Sequence, residues 1–229
     1  MKSEKIFLLF GSTGDLGKVA VEYFLNQDYD YFYFFARRRF NIESAKNNFI
    51  TVTVNDFTKE ENVIEAFSKV KINSNSSYYL FSTVGGFTGG QTISDTSYAD
   101  FLNMLNINLC TSFLIAKHFA KFVEGTKGGS ICFTSALASI KPEANKAAYN
   151  ISKDGLNMLV KTLALEGASI GISANAVAPF IIDTESNREW EKDITQLVSP
   201  KEICSVVQSL FVNYKVSTGN IIALPGSLR

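Results

Sequence analysis

Short apolar runs alternate with helical patterns along the whole chain of 229 residues, and no other feature restricts the fold as strongly. Seven runs have the length and composition of strands, at residues 6–10, 31–36, 50–54, 78–83, from 130 onward, 171–178 and 218–226. The longest helical patterns cover residues 98–123 and 147–166, where apolar residues recur at helical spacing. Strands that alternate with helices predict an α/β fold with a doubly wound parallel sheet, formed as a single domain over residues 1–229.

Composition narrows the classes of function. A formal net charge of +0 argues against nucleic acid as the main partner. No uninterrupted apolar run approaches the ~20 residues of a membrane span, and the apolar run after Lys5 has the length of a first strand rather than a signal peptide. Cys110, Cys132 and Cys204 are odd in number and scattered, so we expect buried, reduced thiols in a cytoplasmic protein, without a disulfide frame or a metal site.

A glycine-rich turn separates the first strand from the first helix. Its residues are Gly11, Ser12, Thr13, Gly14, Asp15, Leu16 and Gly17. Such a turn lets a pyrophosphate approach the backbone at a helix N-terminus. A P-loop does not fit, because Lys18 is followed by Val19 rather than by serine or threonine. A plain strand–helix turn is the other alternative, and we favour a dinucleotide site.

The second strand ends in Arg37, Arg38 and Arg39. An NAD-preferring fold usually has a carboxylate at this point for the ribose hydroxyls, whereas an arginine accommodates the 2′-phosphate of NADP. No acid stands at the strand end, so the sequence predicts NADP rather than NAD. For Arg38 and Arg39, simple solvated surface charges are a serious alternative.

Two further segments leave strands at the same predicted sheet edge. One is a second glycine-rich loop, residues 84–90, in which Phe87 either faces the substrate or only packs. The other is the polar segment 185–199, which contains the single tryptophan, Trp190, and which we expect to be a loop acting as a lid. The substrate pocket is therefore predicted at residues 87–92 and 184–190.

Tyr149 and Lys153 lie four residues apart on a predicted helix and share a face. A phenol titrates near ~10, and a neighbouring ammonium lowers this pKa, so the pair can transfer a proton at neutral pH. The alternative is that Tyr149 and Lys153 are two ordinary helix residues.

Asn108 lies inside another helical pattern, where asparagine is an unfavourable residue unless its side-chain amide forms hydrogen bonds. His118 is the only histidine and falls mid-helix, which leaves a Ser-His-Asp hydrolase poorly supported.

These motifs and their order resemble those of the short-chain dehydrogenase/reductase family, and the resemblance covers essentially the whole length of this chain. The ordered series is Gly11 to Gly17, Asp56, the Val84-Gly85-Gly86 loop, Asn108, Ser135, Tyr149, Lys153, Pro179 to Thr184 and Gly219 to Gly226. The resemblance implies a Rossmann-type fold, with a seven-stranded parallel sheet in three α/β/α layers. It also implies dimers or tetramers built on the helices that carry Asn108 and Tyr149.

The same resemblance assigns roles to individual residues. Tyr149 would be the general acid in carbonyl reduction, Lys153 would lower its pKa and bind the nicotinamide ribose, and Asn108 would hold a proton-relay water. Ser135 is the candidate for the family serine. The cofactor would contact Gly11, Ser12, Thr13, Asp15, Leu16, Gly17, Arg37, Asp56, Val84, Gly85, Pro179, Ile182 and Thr184.

The sequence departs from the family pattern at four places. Asp15 stands where the motif has its second glycine, Ser82-Thr83-Val84-Gly85 replaces Asn-Asn-Ala-Gly, and Phe180 replaces a glycine after Pro179. The family serine lies thirteen residues before the tyrosine, which is Ala136 in this chain. Ser135 serves if the intervening loop carries one extra residue; otherwise the serine role is vacant.

The dihydropteridine reductase branch of the family has a similar pattern. It lacks the serine, has a Gly-Gly-aromatic-x-Gly-Gly loop like residues 85–90, and has an Asp-Thr-x-x-Asn-Arg run like residues 183–188. A pterin-like substrate follows as one option, although the arginines after the second strand differ from the acid expected for NADH use.

The sequence therefore predicts an NADP(H)-dependent oxidoreductase that acts on a small carbonyl or imine compound. A nucleotide-binding regulatory or sensor protein that has lost catalysis is the alternative, motivated by Asp15 and Ala136. A lyase or isomerase on the same fold is a third option, since a fold does not fix a reaction.

Overall fold

A computed structural model describes residues 3–44, 46–191 and 193–226, so the ends of the predicted domain 1–229 and two internal positions lie outside the described residues. The main sheet has seven strands, all pairing in parallel. They are β1 Glu4–Phe10, β2 Tyr31–Ala36, β3 Phe49–Thr53, β4 Ser76–Ser82, β5 Gly129–Thr134, β6 Ile172–Pro179 and, after two short strands, β9 Ile221–Leu224. Their order is β3-β2-β1-β4-β5-β6-β9, so the winding direction reverses between β1 and β4, the point at which ligands bind in open parallel sheets.

The helices cover both faces of this sheet. They are α1 Asp15–Leu25, α2 Glu60–Ser68, α3 Tyr98–Met104, α4 Thr111–Val123, α5 Ala147–Gly167, α6 Glu185–Trp190 and α7 Pro200–Val212. Alternate residues of β1 point to opposite cores, Leu8 toward the layer of α2, α4 and α5 and Phe7 toward the layer of α1 and α7. Burial on both faces explains why these strands are continuously apolar. The predicted doubly wound, three-layer fold is confirmed.

The segment predicted as a polar lid loop is largely structured. After Thr184 it forms α6, then a 3₁₀ turn at Ile194–Gln196 and the strand β8 Leu197–Val198. Strand β8 pairs in parallel with β7 Ile181–Ile182 to make a second, two-stranded sheet. The prediction of a loop through residue 199 is wrong because Leu197 and Val198 are buried, 1% and 4% exposed, and anchor the segment to the core. Lys192 of this segment lies outside the described residues.

The long helical region is continuous but changes winding. Between α3 and α4 a π-helical turn covers Leu105–Cys110 and includes Asn108. The stretch Tyr98–Val123 is also long and apolar enough to cross a membrane by length and composition alone. Its inner face, including Ile115 and Phe119 at 0% exposure, packs in the layer with α2 and α5, as a core helix does.

The expectation of three buried thiols holds for Cys132 and Cys204 but is wrong for Cys110, which is exposed. Cys110 lies on the outer side of the π turn, on the same stripe as the exposed Leu102 and Phe113. Its apolar neighbours in sequence suggested burial, but the helical register turns it outward.

Candidate active site

Close backbone contacts shape the glycine-rich turn after β1. A Cβ atom on Gly17 would lie 2.0 Å from the Gly11 carbonyl oxygen, so no larger residue fits there without moving the turn. Gly11 has φ +93°, and a Cβ on it would meet the Thr83 hydroxyl at 2.5 Å. Helix α1 begins at Asp15, and no side chain among the described residues caps its first turn. In the part of the chain that the structure describes, its first N–H groups therefore lack a side-chain partner at the sheet edge.

Two side chains of this turn face the protein interior. Ser12 is 1% exposed and its hydroxyl lies 2.9 Å from the Phe35 carbonyl oxygen, which it uses as an acceptor. Leu16 is buried in the core beneath α1. Asp15 is exposed in the first turn of the helix. The Ser12 hydroxyl is therefore already used, while Asp15 and Leu16 both line the second of the two cavities described next.

Two adjoining cavities follow the carboxyl ends of β1, β2, β4 and β5. The first, of about 280 Å³, is lined by Gly11, Thr13, Gly14, Arg37, Asp56, Phe57, Thr58, Thr83, Val84, Gly85, Gly86, Ile107 and Thr111. The second, of about 400 Å³, contains Tyr149 and Lys153. Gly14, Thr83, Gly85 and Gly86 line both, so the two form one elongated cleft. A larger cavity of about 810 Å³ lies between α1 and the loop at residues 40–46, away from Tyr149 and Lys153.

The first cavity brings together a base and an acid. Arg37 lines it, whereas Arg38 and Arg39 do not. The Asp56 carboxylate accepts hydrogen bonds from the backbone N–H and the hydroxyl of Thr58, both at 2.8 Å. These bonds, together with Lys59 and Arg37, hold the pKa of Asp56 below its ordinary value. Asp56 is thus an ionised, oriented carboxylate at this end of the cleft.

Tyr149 and Lys153 lie on the inner face of α5, at the other end of the cleft. Lys153 is 4% exposed, and its Nζ donates to the Thr134 carbonyl oxygen at 2.8 Å. Its Nζ is 5.9 Å from the centroid of the Tyr149 ring. The ring of Phe87, from the second glycine-rich loop, packs edge-on against Tyr149, with centroids 5.0 Å apart and planes at 88°. The structure thus brings the predicted pair together and adds Phe87 as its cover.

Burial dominates the protonation of this pair. Desolvation, with a contribution from the Glu143 carboxylate, raises the pKa of Tyr149 to about 12. The prediction of a lowered value is wrong for this structure, because burial and the Glu143 carboxylate both raise the pKa of Tyr149. Desolvation also lowers the pKa of Lys153 to about 8. At neutral pH the phenol is protonated, and the charged form of Lys153 outnumbers the neutral form by roughly ten to one.

The amide of Asn108 is fully engaged. Its Oδ1 accepts from the Gly86 N–H at 3.0 Å, and its Nδ2 donates to the Gly86 carbonyl at 3.0 Å and to the Ser152 hydroxyl at 3.1 Å. A Cβ on Gly85 would approach Asn108 Oδ1 to 2.8 Å and Lys153 Nζ to 3.1 Å. Asn108 therefore clamps the loop that carries Phe87. Both amide hydrogens are used in this clamp, so the predicted relay water would have to bind to other atoms of the residue.

Ser135 is buried, 2% exposed, and its hydroxyl donates to Asn157 Oδ1 at 2.6 Å. Ala136, at the position of the family serine, is also buried. Asn157 was not identified from the sequence. The available signal was a polar residue four positions after Lys153, between the apolar Leu156 and Val160 of the buried stripe.

The exit from β6 forms the outer wall of the second cavity. Pro179, Phe180, Ile182 and Thr184 line it, and Ser186 and Asn187 join them. The Thr184 hydroxyl accepts from the Asn187 N–H at 3.2 Å and so caps α6, while Asn187 Nδ2 donates to the Ile182 carbonyl at 2.8 Å. Trp190, predicted to border the pocket, is 60% exposed and is not among the lining residues.

Within the described ranges, no three His, Cys, Asp or Glu side chains gather as metal ligands.

Comparison with known proteins agrees with this arrangement. The family model described as short chain dehydrogenase matches residues 5–195. Carbonyl reductase family member 4 from Xenopus laevis is 25% identical, with 98% of each chain covered. Dihydropteridine reductase from Dictyostelium discoideum is 29% identical over 82% of this chain and 79% of its own length. Among solved structures, ElxO with NADP bound has a TM-score of 0.87 at 24% identity, covering 96% of this chain and 97% of that chain.

Proposed function

This chain belongs to the short-chain dehydrogenase family and is an NAD(P)-dependent oxidoreductase, and we propose that it uses NADP(H) to reduce a small carbonyl or imine compound. One observation carries the proposal. Tyr149 and Lys153 are both held at one end of a cleft that runs past a glycine turn, where the backbone leaves room for a pyrophosphate.

The described residues fit a dinucleotide. The turn at Gly11 and Gly17 leaves a backbone cradle that a Cβ would fill, and the two joined cavities extend from Asp56 to Tyr149. Asp56 would contact the adenine, the first turn of α1 the pyrophosphate, and Lys153 the nicotinamide ribose. Pro179, Ile182 and Thr184 would border the nicotinamide. When bound, the nicotinamide cofactor supplies the hydride for reduction.

Arg37 supports the preference for NADP(H). Its guanidinium is the member of the arginine run that borders the cleft, beside the Asp56 carboxylate. Arginine presents planar donors that match the oxygens of a 2′-phosphate. Two structural neighbours, ElxO with NADP bound and a variant of ElxO with NADPH bound, are consistent with this choice.

Tyr149 is the proposed proton donor. Its phenol is protonated at neutral pH, which is the form that a proton donor in the reduction of a carbonyl or imine needs. Lys153 stays mostly charged and favours negative charge on the phenol oxygen as its proton leaves. We assign Asn108 to the clamp on Gly86, and we leave Ser135 outside the proton path because its hydroxyl donates elsewhere.

The substrate would enter between the second glycine-rich loop and the start of α6. Phe87 and Phe180 supply aromatic surface there, and Ser186 and Asn187 supply polar groups. This mixture suits a small, flat, partly polar compound. A pterin-like imine fits the resemblance in the loop at residues 85–90, and a simple carbonyl fits the other relatives.

We also propose a homodimer or homotetramer in the cytoplasm, with small molecules and no membrane or nucleic acid as partners. Helices α3 to α5 carry a run of exposed apolar side chains, Leu102, Phe113, Ile151, Met158 and Leu165, which are 39% to 82% exposed. An exposed apolar surface of this kind is typical of a contact between subunits.

A sensor that binds NAD(P) without turnover is the second candidate. Asp15 near the phosphate turn and Ala136 at the serine position favour it. It predicts cofactor binding with no turnover across a broad panel of carbonyl and imine compounds. The buried phenol–ammonium pair weighs against it, because binding alone does not require such a pair.

Titration with NADPH and with NADH, followed by protein fluorescence, tests the cofactor assignment. We expect tighter binding of NADPH, and we expect Arg37→Ala to remove the preference. Arg38→Ala is the matched control, because Arg38 does not line the cleft. Equal affinities in the wild type, or a preference unchanged by Arg37→Ala, would contradict the assignment.

A further inference from the structure

A closed polar cluster joins the end of β5 to α5. It consists of Ser135, Ser139 and Asn157, and we call it the β5–α5 latch. Ser135 and Asn157 are 2% and 4% exposed. Asn157 lies one helical turn beyond Lys153, and Ser135 lines the second cavity together with Tyr149 and Lys153, so the latch adjoins the proposed active site.

Counting hydrogen atoms fixes the direction of each bond in the latch. Ser135 Oγ and Asn157 Oδ1 are 2.6 Å apart, within the range of O–H···O bonds and shorter than N–H···O bonds. Asn157 Nδ2 donates to Ser139 Oγ at 2.8 Å, and Ser139 donates its own hydrogen to the Ala136 carbonyl at 2.5 Å. A serine hydroxyl has one hydrogen, so the hydrogen of Ser135 is used within the latch.

A second tie runs parallel to the first. One turn earlier on α5, Lys153 Nζ donates to the carbonyl of Thr134, the residue before Ser135. Two adjacent residues at the end of β5 are thus fastened to two residues of α5 spaced by one turn. If the Ser135–Asn157 bond is lost, this end of β5 keeps the bond from the Ser135 N–H to the Val177 carbonyl and the bond from the Thr134 hydroxyl to the Ser82 carbonyl. It loses its side-chain tie to α5, so the Thr134 carbonyl is held less firmly against the Lys153 ammonium.

We infer that Asn157 is a positioning residue. It accepts the hydrogen of the Ser135 hydroxyl, which is then not available to a substrate in the cavity that Ser135 lines. It also fixes the end of β5, and with it the Lys153 ammonium, against α5. The inference rests on the proposed function for the importance of Lys153. It makes Ser135 a structural partner of Asn157 rather than the proton donor of the family pattern, and it leaves the acid role to Tyr149.

A double-mutant cycle tests the latch without any substrate. Thermal unfolding is compared for Ser135→Ala, Asn157→Leu and the double variant. Because both single changes break the same bond, the double variant should lose little more stability than the worse single variant. Ser130→Ala is the matched control: it removes another buried hydroxyl of β5, one that bonds to Ser173 on β6, and its effect should add to that of Asn157→Leu. Additive losses for Ser135→Ala and Asn157→Leu would overturn the latch.

Binding of NADPH as a function of pH tests the positioning of Lys153. In the wild type, binding should weaken as pH rises through the titration of Lys153. Asn157→Leu and Ser135→Ala should each move this weakening to lower pH by about one unit, since the charged lysine loses a fixed hydrogen bond. Ser130→Ala should not change the pH at which NADPH binding weakens. If Asn157→Leu does not change this pH either, the positioning role is wrong.

Turnover separates a failure of this inference from a failure of the proposed function. With NADPH and a panel of aldehydes, ketones and quinonoid pterins, Ser135→Ala should lose less than about tenfold in kcat, whereas a general acid contributes roughly 10²- to 10⁴-fold. A loss of about a hundredfold in Ser135→Ala, with NADPH binding unchanged, would make Ser135 catalytic and overturn the inference. Absence of turnover in the wild type would instead contradict the proposed function, and the double-mutant cycle would still decide the latch.

Discussion

Replacing Lys153 by methionine should remove activity and stabilise the fold. Burial shifts the pKa of this lysine from 10.5 to about 8. At roughly 1.4 kcal/mol per pKa unit, keeping the charge in the folded protein at neutral pH costs about 3 kcal/mol. Methionine has a similar length and carries no charge to desolvate. The change also removes the hydrogen bond to the Thr134 carbonyl, which offsets about 1–2 kcal/mol. We expect a net stabilisation of about 1–2 kcal/mol near pH 7, or a rise in Tm of roughly 3–6 °C.

The dependence on pH has a defined sign. Below pH 8, Lys153 is protonated in both the folded and the unfolded protein, and the full cost is present. Between pH 8 and 10.5 the folded protein releases the proton while the unfolded chain keeps it, so the wild type gains stability relative to the variant. The advantage of Lys153→Met should therefore shrink, and it should reverse in sign near the upper end of this interval.

Differential scanning calorimetry of the two proteins across this pH range is the assay. Lys161→Met is the matched control, because Lys161 is exposed on the same helix and its replacement should change Tm little at any pH. A Tm difference between Lys153→Met and the wild type that stays constant with pH would refute the reasoning. It would mean that the Lys153 ammonium is hydrated rather than buried.

Three further predictions concern the turn, the clamp and the outer helix face. Gly17→Ala should abolish NADPH binding and lower Tm, since its Cβ would lie 2.0 Å from the Gly11 carbonyl oxygen. Fluorescence titration measures NADPH affinity and calorimetry measures Tm, and an affinity equal to that of the wild type would contradict the backbone cradle. Asn108→Leu should cost about 2–4 kcal/mol of stability by leaving the polar groups of Gly86 unpaired; chemical denaturation measures this loss, and a change below about 0.5 kcal/mol would argue against the clamp. Met158→Asp should shift the protein to monomers in size-exclusion chromatography with light scattering, because Met158 lies on the exposed apolar face; a monomeric wild type would contradict the proposed contact between subunits.

Much of the fold could be predicted from strand periodicity and glycine placement. The strand Tyr31–Ala36 was predicted with the bounds that it has in the structure, because a continuous apolar run leaves a buried strand as the simplest solution. The segment after Thr184 could not be predicted in the same way. Its two-residue strand β8 is stabilised by pairing with β7, and periodicity in so short a stretch carries no signal.

The candidate site could likewise be predicted only in part. Spacing alone placed Tyr149 and Lys153 on one face, since four residues make about one helical turn. The predicted direction of the Tyr149 pKa shift was wrong. This pKa depends on how much water the surrounding loops exclude from the phenol, and Phe87 packs against the Tyr149 ring only after the chain has folded. The partner of Ser135 was also missed, because Asn157 meets it through packing of α5 on β5 rather than through any sequence motif.

Comparison of Tyr149→Phe with the wild type tests the central claim most directly. The phenylalanine ring keeps the edge-on packing with Phe87 and removes only the ionisable hydroxyl. NADPH affinity is measured by fluorescence, and turnover is measured with a carbonyl or imine substrate that the wild type reduces. We predict an unchanged Kd for NADPH and a loss of turnover of about a hundredfold or more. Turnover equal to that of the wild type, with NADPH still bound, would show that Tyr149 is not the proton donor.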